Sequence, residues 1–180
     1  MRTADFDYHL PPGLIAQTPV EPRDHSRLLV LHRADGSVTH RRFYEIGDYL
    51  RAGDLLVANE SRVMAARLMA RREDSGGRLE LLLVRRVAEG VWETLVKPGR
   101  RAKTGTRLVL EQSQRDLDDR TVTAKVLDRT EAGGRLVRFS DEAVLERLGA
   151  VPLPPYIHAP LADPERYQTV YARRKGSVAA

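Results

Sequence analysis

From about residue 67 to residue 149, six short strand-like runs follow one another with only turns between them. Ala66, Leu68 and Ala70 alternate with Arg67, Met69 and Arg71, which aims one face of a strand at a core. Ser75-Gly76-Gly77 makes a turn, and a second strand is expected over 78–84. Four more are expected over 91–96, 106–110, 121–127 and 135–139, divided by Gly- or Asp-bearing turns. No segment of helical period interrupts them. Such a series pairs antiparallel and hides its edges best by curling on itself, so a small closed or half-closed β-barrel is expected. A helix over 141–148 should follow. Ser140 or Asp141 would cap it, Val144, Leu145 and Leu148 would form its apolar stripe, and Gly149 would stop it.

The flanks read differently. Pro11-Pro12-Gly13-Leu14 suits a single helical turn opened by proline. Residues 26–31 and 37–40 flank Ala34-Asp35-Gly36, a hairpin with a glycine turn. Phe43, Ile46 and Leu50 recur at helical spacing, and Gly53 marks a stop. The continuous apolar run 54–58 has the pattern of a buried strand. Near the carboxyl end, Pro152-Leu153-Pro154-Pro155 excludes helix and favours an extended segment.

Composition excludes several classes of function. The chain of 180 residues has no cysteine, so neither a disulfide framework nor a thiolate metal site is possible. No apolar run approaches the eighteen residues of a spanning helix, and the amino terminus lacks a secretory h-region. A soluble, cytoplasmic protein is expected. Five histidines show no paired ligand spacing, and neither a G-x-G-x-x-G turn nor a Gly-Lys-Ser/Thr phosphate loop occurs. Basic residues outnumber acidic ones by 30 to 25, and all but Lys97, Lys103, Lys125 and Lys175 are arginine. The excess lies in 67–149, with eighteen basic and fourteen acidic residues. Guanidinium groups suit phosphate, which points to an RNA partner; an arginine-rich codon bias would give the same count.

Two clusters could carry chemistry. Tyr156, Tyr167 and Tyr171 lie close in sequence to Gln168 and Thr169, so aromatic faces for stacking and polar groups for hydrogen bonding are near one another. Asn59-Glu60-Ser61-Arg62 follows the apolar run 54–58, where a strand's carboxyl end commonly meets a ligand. Proline-stiffened packing and simple turn formation explain the same residues equally well.

At these residues the sequence resembles the S-adenosylmethionine:tRNA ribosyltransferase-isomerase family of queuosine biosynthesis. The matching phrases are Asp5-Phe6-Asp7-Tyr8, Leu14-Ile15-Ala16-Gln17, Glu21-Pro22-Arg23-Asp24 and Ser26-Arg27-Leu28-Leu29. They continue through Gly53-Asp54-Leu55-Leu56-Val57-Ala58-Asn59-Glu60-Ser61-Arg62-Val63, Gly76-Gly77-Arg78-Leu79-Glu80 and Leu95-Val96-Lys97-Pro98. Pro152-Leu153-Pro154-Pro155-Tyr156-Ile157, Tyr167-Gln168-Thr169-Val170-Tyr171 and Gly176-Ser177-Val178-Ala179-Ala180 complete the match. Glu60-Ser61 replaces the family's Asp or Asn followed by Thr, and Lys175 stands where proline is usual.

The resemblance implies an α+β, β-rich fold: an α/β barrel-like lobe from 1–66 and 150–180, with a small antiparallel β-barrel inserted at 67–149. Family members continue past the final Val-Ala-Ala phrase, so the lobe is expected to be incomplete here. The implied reaction transfers and isomerises the ribosyl moiety of S-adenosylmethionine, a co-substrate, onto 7-aminomethyl-7-deazaguanine in tRNA. Epoxyqueuosine, adenine and methionine result, with no metal. Tyr156, Tyr167 and Tyr171 would stack on a base, Gln168 and Thr169 would hydrogen-bond, and Asn59, Ser61 and Arg62 would hold a carboxylate or phosphate. No general base is identified. The alternative is a non-catalytic basic barrel that grips tRNA, or an inactive fragment.

Overall fold

The structure, a computed structural model, describes residues 1–111 and 121–177; residues 178–180 of the matched carboxyl-terminal phrase lie outside them. The fold is mixed α+β and strand-rich. It divides into two compact units, Met1–Ala58 with Pro154–Arg166, and Asn59–Leu153 with Tyr167–Ala180.

In the first unit, β1 (Arg27–Leu31) and β2 (Val38–Arg42) form an antiparallel hairpin in which Leu29 faces His40. Gly36 closes it with φ +70°, a conformation that costs residues with a Cβ, and the Asp35 carboxylate accepts from the Ser37 N–H at 2.9 Å. That backbone bond and the Ser37 hydroxyl hold Asp35 below the usual carboxylate range. Phe43–Tyr49 forms a 3₁₀ helix rather than an α-helix. Of the expected stripe Phe43, Ile46 and Leu50, the first two lie three apart on this tighter coil and Leu50 is its C-cap, outside the helix. Pro12–Leu14 is a 3₁₀ turn with proline in its first turn, as the sequence suggests.

The apolar run 54–58 departs from expectation. It forms no strand, and Leu55, Leu56 and Val57 are 86%, 70% and 90% exposed. A buried strand needs partners on its edges and layers on its faces. Among the described residues of this unit, the β1–β2 hairpin is the one sheet, and it does not pair with this run.

The second unit holds the barrel. Its strands are β4 (Arg67–Arg72), β5 (Arg78–Ala88), β6 (Val91–Lys97), β7 (Arg107–Leu110), β8 (Thr123–Arg129) and β9 (Arg135–Phe139). They close in the order β4-β5-β6-β9-β8-β7, every neighbour antiparallel. Closure leaves no open edge. Period-two alternation sends Leu68, Ala70, Leu79, Leu81, Leu83, Leu108, Val126 and Val137 into one buried core. The small Ala70 and Ala124 lie beside leucines in that core, the mix of small and large residues that a narrow barrel's taper calls for. Register shifts in β5 after Leu83 and after Arg86 give the eleven-residue strand the bend it needs to wrap.

The expected helix is shorter than its pattern, with one turn, α1 (Leu145–Leu148), after a turn at 141–144. Asp141 caps that preceding turn by accepting from the Ala143 N–H at 2.9 Å. Leu145 is buried in the barrel core. Gly149 ends the helix, but not through a left-handed conformation, since its φ is −78°. A Cβ there would sit 1.7 Å from the Ala65 carbonyl oxygen, so glycine is required for close backbone approach.

Candidate functional site

A short stretch before the barrel and a stretch after it come together within the second unit. β3 (Ser61–Val63) pairs in parallel with β10 (Arg174–Ser177), Ser61 opposite Arg174 and Arg62 opposite Lys175. The register shifts at Gly176, whose φ of +136° only glycine adopts readily. At the start of β10 the Glu60 carbonyl accepts from the Arg173 and Arg174 N–H groups at 2.8 and 3.2 Å. The Glu60 carboxylate meets the Arg174 guanidinium at 2.9 Å.

Gln168 supplies the strongest link. It is buried, and its amide oxygen accepts from the Val63 N–H at 2.8 Å while its NH₂ donates to the Val63 carbonyl at 2.9 Å. A primary amide offers donor and acceptor side by side, so it satisfies a strand residue as a neighbouring backbone would. Replacing it with an apolar residue would orphan both groups. The role expected of Gln168, hydrogen bonding, is filled here by backbone.

Around this clamp the other candidate residues take their places. The Asn59 side chain accepts from the Ser61 N–H at 2.8 Å, turning the chain into β3. The Thr169 hydroxyl lies 3.5 Å from the Asn59 carbonyl, the long limit for a hydrogen bond. Ser61, Arg62, Tyr167 and Thr169 are half-buried and Tyr171 is exposed. Asn59, Ser61, Arg62, Gln168 and Thr169 thus lie in one hydrogen-bonded assembly, with Tyr167 and Tyr171 flanking Gln168 and Thr169 in sequence within the same unit. Lys175 donates to the Glu146 carboxylate at 2.7 Å and ties β10 to α1.

Tyr156 belongs to the first unit and is half-exposed. The proline-rich segment around it turns at Pro154, whose carbonyl accepts from the Ile157 N–H at 3.0 Å, rather than running extended. A second glutamine clamps it: the Gln17 NH₂ donates to the Tyr156 carbonyl at 3.0 Å, and its oxygen accepts from the His158 N–H at 2.7 Å. Gln17 carries no local periodicity or motif signal of its own, and only its place in the Leu14-Ile15-Ala16-Gln17 phrase marked it.

On the barrel, Glu142 collects four donors. Arg86 binds both its oxygens at 2.6 and 2.7 Å, the Trp92 indole N–H donates at 2.7 Å, and the Gly90 N–H at 3.0 Å. The Arg86 pair above all, with those two N–H groups, lowers its pKa to about 2. Glu111 is held low in the same way by Arg78 and then Arg71. These carboxylates are committed to structural pairs. Among the described residues no group of three or more His, Asp or Glu could hold a metal ion, and no helix is long and apolar enough to cross a membrane.

A closed six-stranded antiparallel barrel, joined to a half-buried polar and aromatic assembly, defines the class: a strand-rich protein with an arginine-laden surface. The chain belongs to the family described as queuosine biosynthesis protein, whose profile matches residues 3–180. It is 55% identical over 180 residues to an S-adenosylmethionine:tRNA ribosyltransferase-isomerase of Dehalococcoides mccartyi, and 54% identical over 184 residues to one of Symbiobacterium thermophilum. Each match covers all of this chain and 52% of the relative, so the chain spans about half the length of the relatives it matches. A crystal structure of S-adenosylmethionine tRNA ribosyltransferase from Thermotoga maritima is 48% identical, covering 81% of this chain and 48% of that one, with a TM-score of 0.40.

Proposed function

We propose that the full-length protein transfers and isomerises the ribosyl moiety of S-adenosylmethionine onto 7-aminomethyl-7-deazaguanine in tRNA, giving epoxyqueuosine, adenine and methionine. The observation that carries this reading is the identity of 55% and 54% to two such enzymes across the whole of this chain. The chemistry is sound: a sulfonium acidifies the adjoining ribose carbon, so a modest base can remove its proton and begin the rearrangement. Such a site must exclude water that would compete for the intermediate. Cytoplasmic residence follows from a tRNA substrate.

In this reading Tyr167 and Tyr171 offer faces to a base, and Thr169, Asn59, Ser61 and Arg62 offer polar contacts to a carboxylate or phosphate. Gln168, its amide occupied by Val63, holds that assembly in place. Tyr156, fixed by Gln17 through its carbonyl, is a further stacking surface. The segment 67–149 is an insertion in a larger lobe formed by 1–66 and 150–180. Arg67 and Ala150 support this by exchanging backbone hydrogen bonds at 3.0 and 2.8 Å, so the chain enters and leaves the barrel side by side. Incubating the full-length protein with S-adenosylmethionine and tRNA bearing the aminomethyl base tests the reaction. Adenine release that requires this tRNA is expected; adenine release independent of tRNA, or none, refutes it.

A further inference from the structure

Over much of the barrel the arginines are neutralised. Arg67 meets Glu80 at 3.1 Å, Arg71 and Arg78 share Glu111 at 2.9 Å each, and Arg85 and Arg86 meet Glu93 and Glu142 at 2.7 and 2.6 Å. The flank made by β7, β8 and β9 differs. Arg107 is the register partner of Lys125, and Lys125 of Arg138. All three are exposed, so three cations stand in a row about 5 Å apart. Among the described residues Arg107 reaches only Glu73, at 3.9 Å, and Lys125 and Arg138 have no ion pair. Like charges opposed across strands destabilise a sheet, so folding does not favour this row. The row lines a cleft of about 450 Å³ with Thr123 and Ser140. The Ser140 oxygen accepts from the Thr123 N–H at 3.0 Å, leaving its own O–H to donate.

A second cleft, of about 340 Å³, opens where β8 turns into β9. Arg135 lies in its wall and donates to the carbonyls of Ala102, Gly134, Gly99 and Gly133 at 2.7–2.9 Å. Four carbonyls satisfy its N–H groups without a carboxylate, so its charge remains while two loops are pinned. Arg100, Lys103 and Arg129 line the same cleft, and none has an ion pair among the described residues. Among the described residues, seven cationic side chains and one carboxylate therefore line the two clefts. Lys125 and Arg129 are four positions apart on β8, about 13 Å along the strand.

We propose that this flank is a track for the RNA phosphate backbone, gripped at both clefts. A single small anion would need one cleft; two on the same pair of strands, about a dozen ångströms apart, fit a chain of phosphates. That the chain is tRNA rests on the reaction proposed above.

The test is tRNA binding by the full-length protein, by fluorescence anisotropy across a salt series, for K125Q/R138Q and R100Q/R129Q. Each pair should weaken binding about five- to tenfold and reduce the slope of log K against log salt by about 1.4. R129K/R138K should keep the parental slope. Should a Gln pair misfold by circular dichroism, the single K125Q should lose about 0.7 of slope. Unchanged affinity and slope in folded variants overturn the track. Failure of the parent to bind tRNA while it binds phosphatidylserine vesicles overturns both the track and the reaction. Binding that behaves as expected without adenine release leaves the track standing and removes the reaction.

Discussion

Gly149 and Glu142 show how much one position decides. An alanine at 149 would drive its Cβ into the Ala65 carbonyl at 1.7 Å, backbone that cannot swing aside as a side chain can. Gly149→Ala should cost about 3 kcal/mol or more, read as a drop in thermal midpoint. The sequence marked Gly149 as a helix stop and so found the residue for a different reason; close approach between distant backbones leaves no local trace. Glu142 titrates lower folded than unfolded, so its contribution is full above the ordinary carboxylate range near 4.5 and is lost as pH falls toward about 2. Glu142→Gln should lower barrel stability by about 1–3 kcal/mol at neutral pH and flatten the acid limb of a stability–pH curve. An unchanged acid limb in that variant would refute the assignment. Nothing in Ser140-Asp141-Glu142 foretold this hub, because its donors Arg86, Gly90 and Trp92 lie some fifty residues upstream.

At the scale of elements, period two was decisive. Alternation at Leu68 and Ala70, and at Leu79, Leu81 and Leu83, placed strands that close as a barrel, since a strand's inward face is written in its own residues. The run 54–58 misled because continuous apolarity records a demand for burial and not its fulfilment. The pairing of β3 with β10 was not legible either: three and four residues carry too little pattern, and the Gln168–Val63 clamp joins positions 105 apart in sequence. Gln168→Leu should expose that pairing, with faster hydrogen exchange at the Val63 amide and a local loss of about 2–3 kcal/mol. In the same unit, Tyr171→Ala in the full-length enzyme should raise KM for tRNA or S-adenosylmethionine several-fold, with far-ultraviolet circular dichroism unchanged. Kinetics identical to the parent would remove Tyr171 from the site.

For the whole molecule, charge has two uses. Arginines paired with Glu80, Glu93, Glu111 and Glu142 tie neighbouring strands of the barrel together, while Arg100, Lys103, Lys125, Arg129 and Arg138 at the two clefts have no ion pair among the described residues. The sequence reported the surplus in 67–149 but not its sorting, which depends on cross-strand register. The proposed reaction treats S-adenosylmethionine as a donor of ribose and not of methyl, and a donor labelled separately in its ribose and methyl carbons decides this directly. With full-length protein and aminomethyl-deazaguanine tRNA, ribose label should enter the tRNA and methyl label should leave in methionine. Methyl label in the tRNA, or no ribose label there, would contradict it.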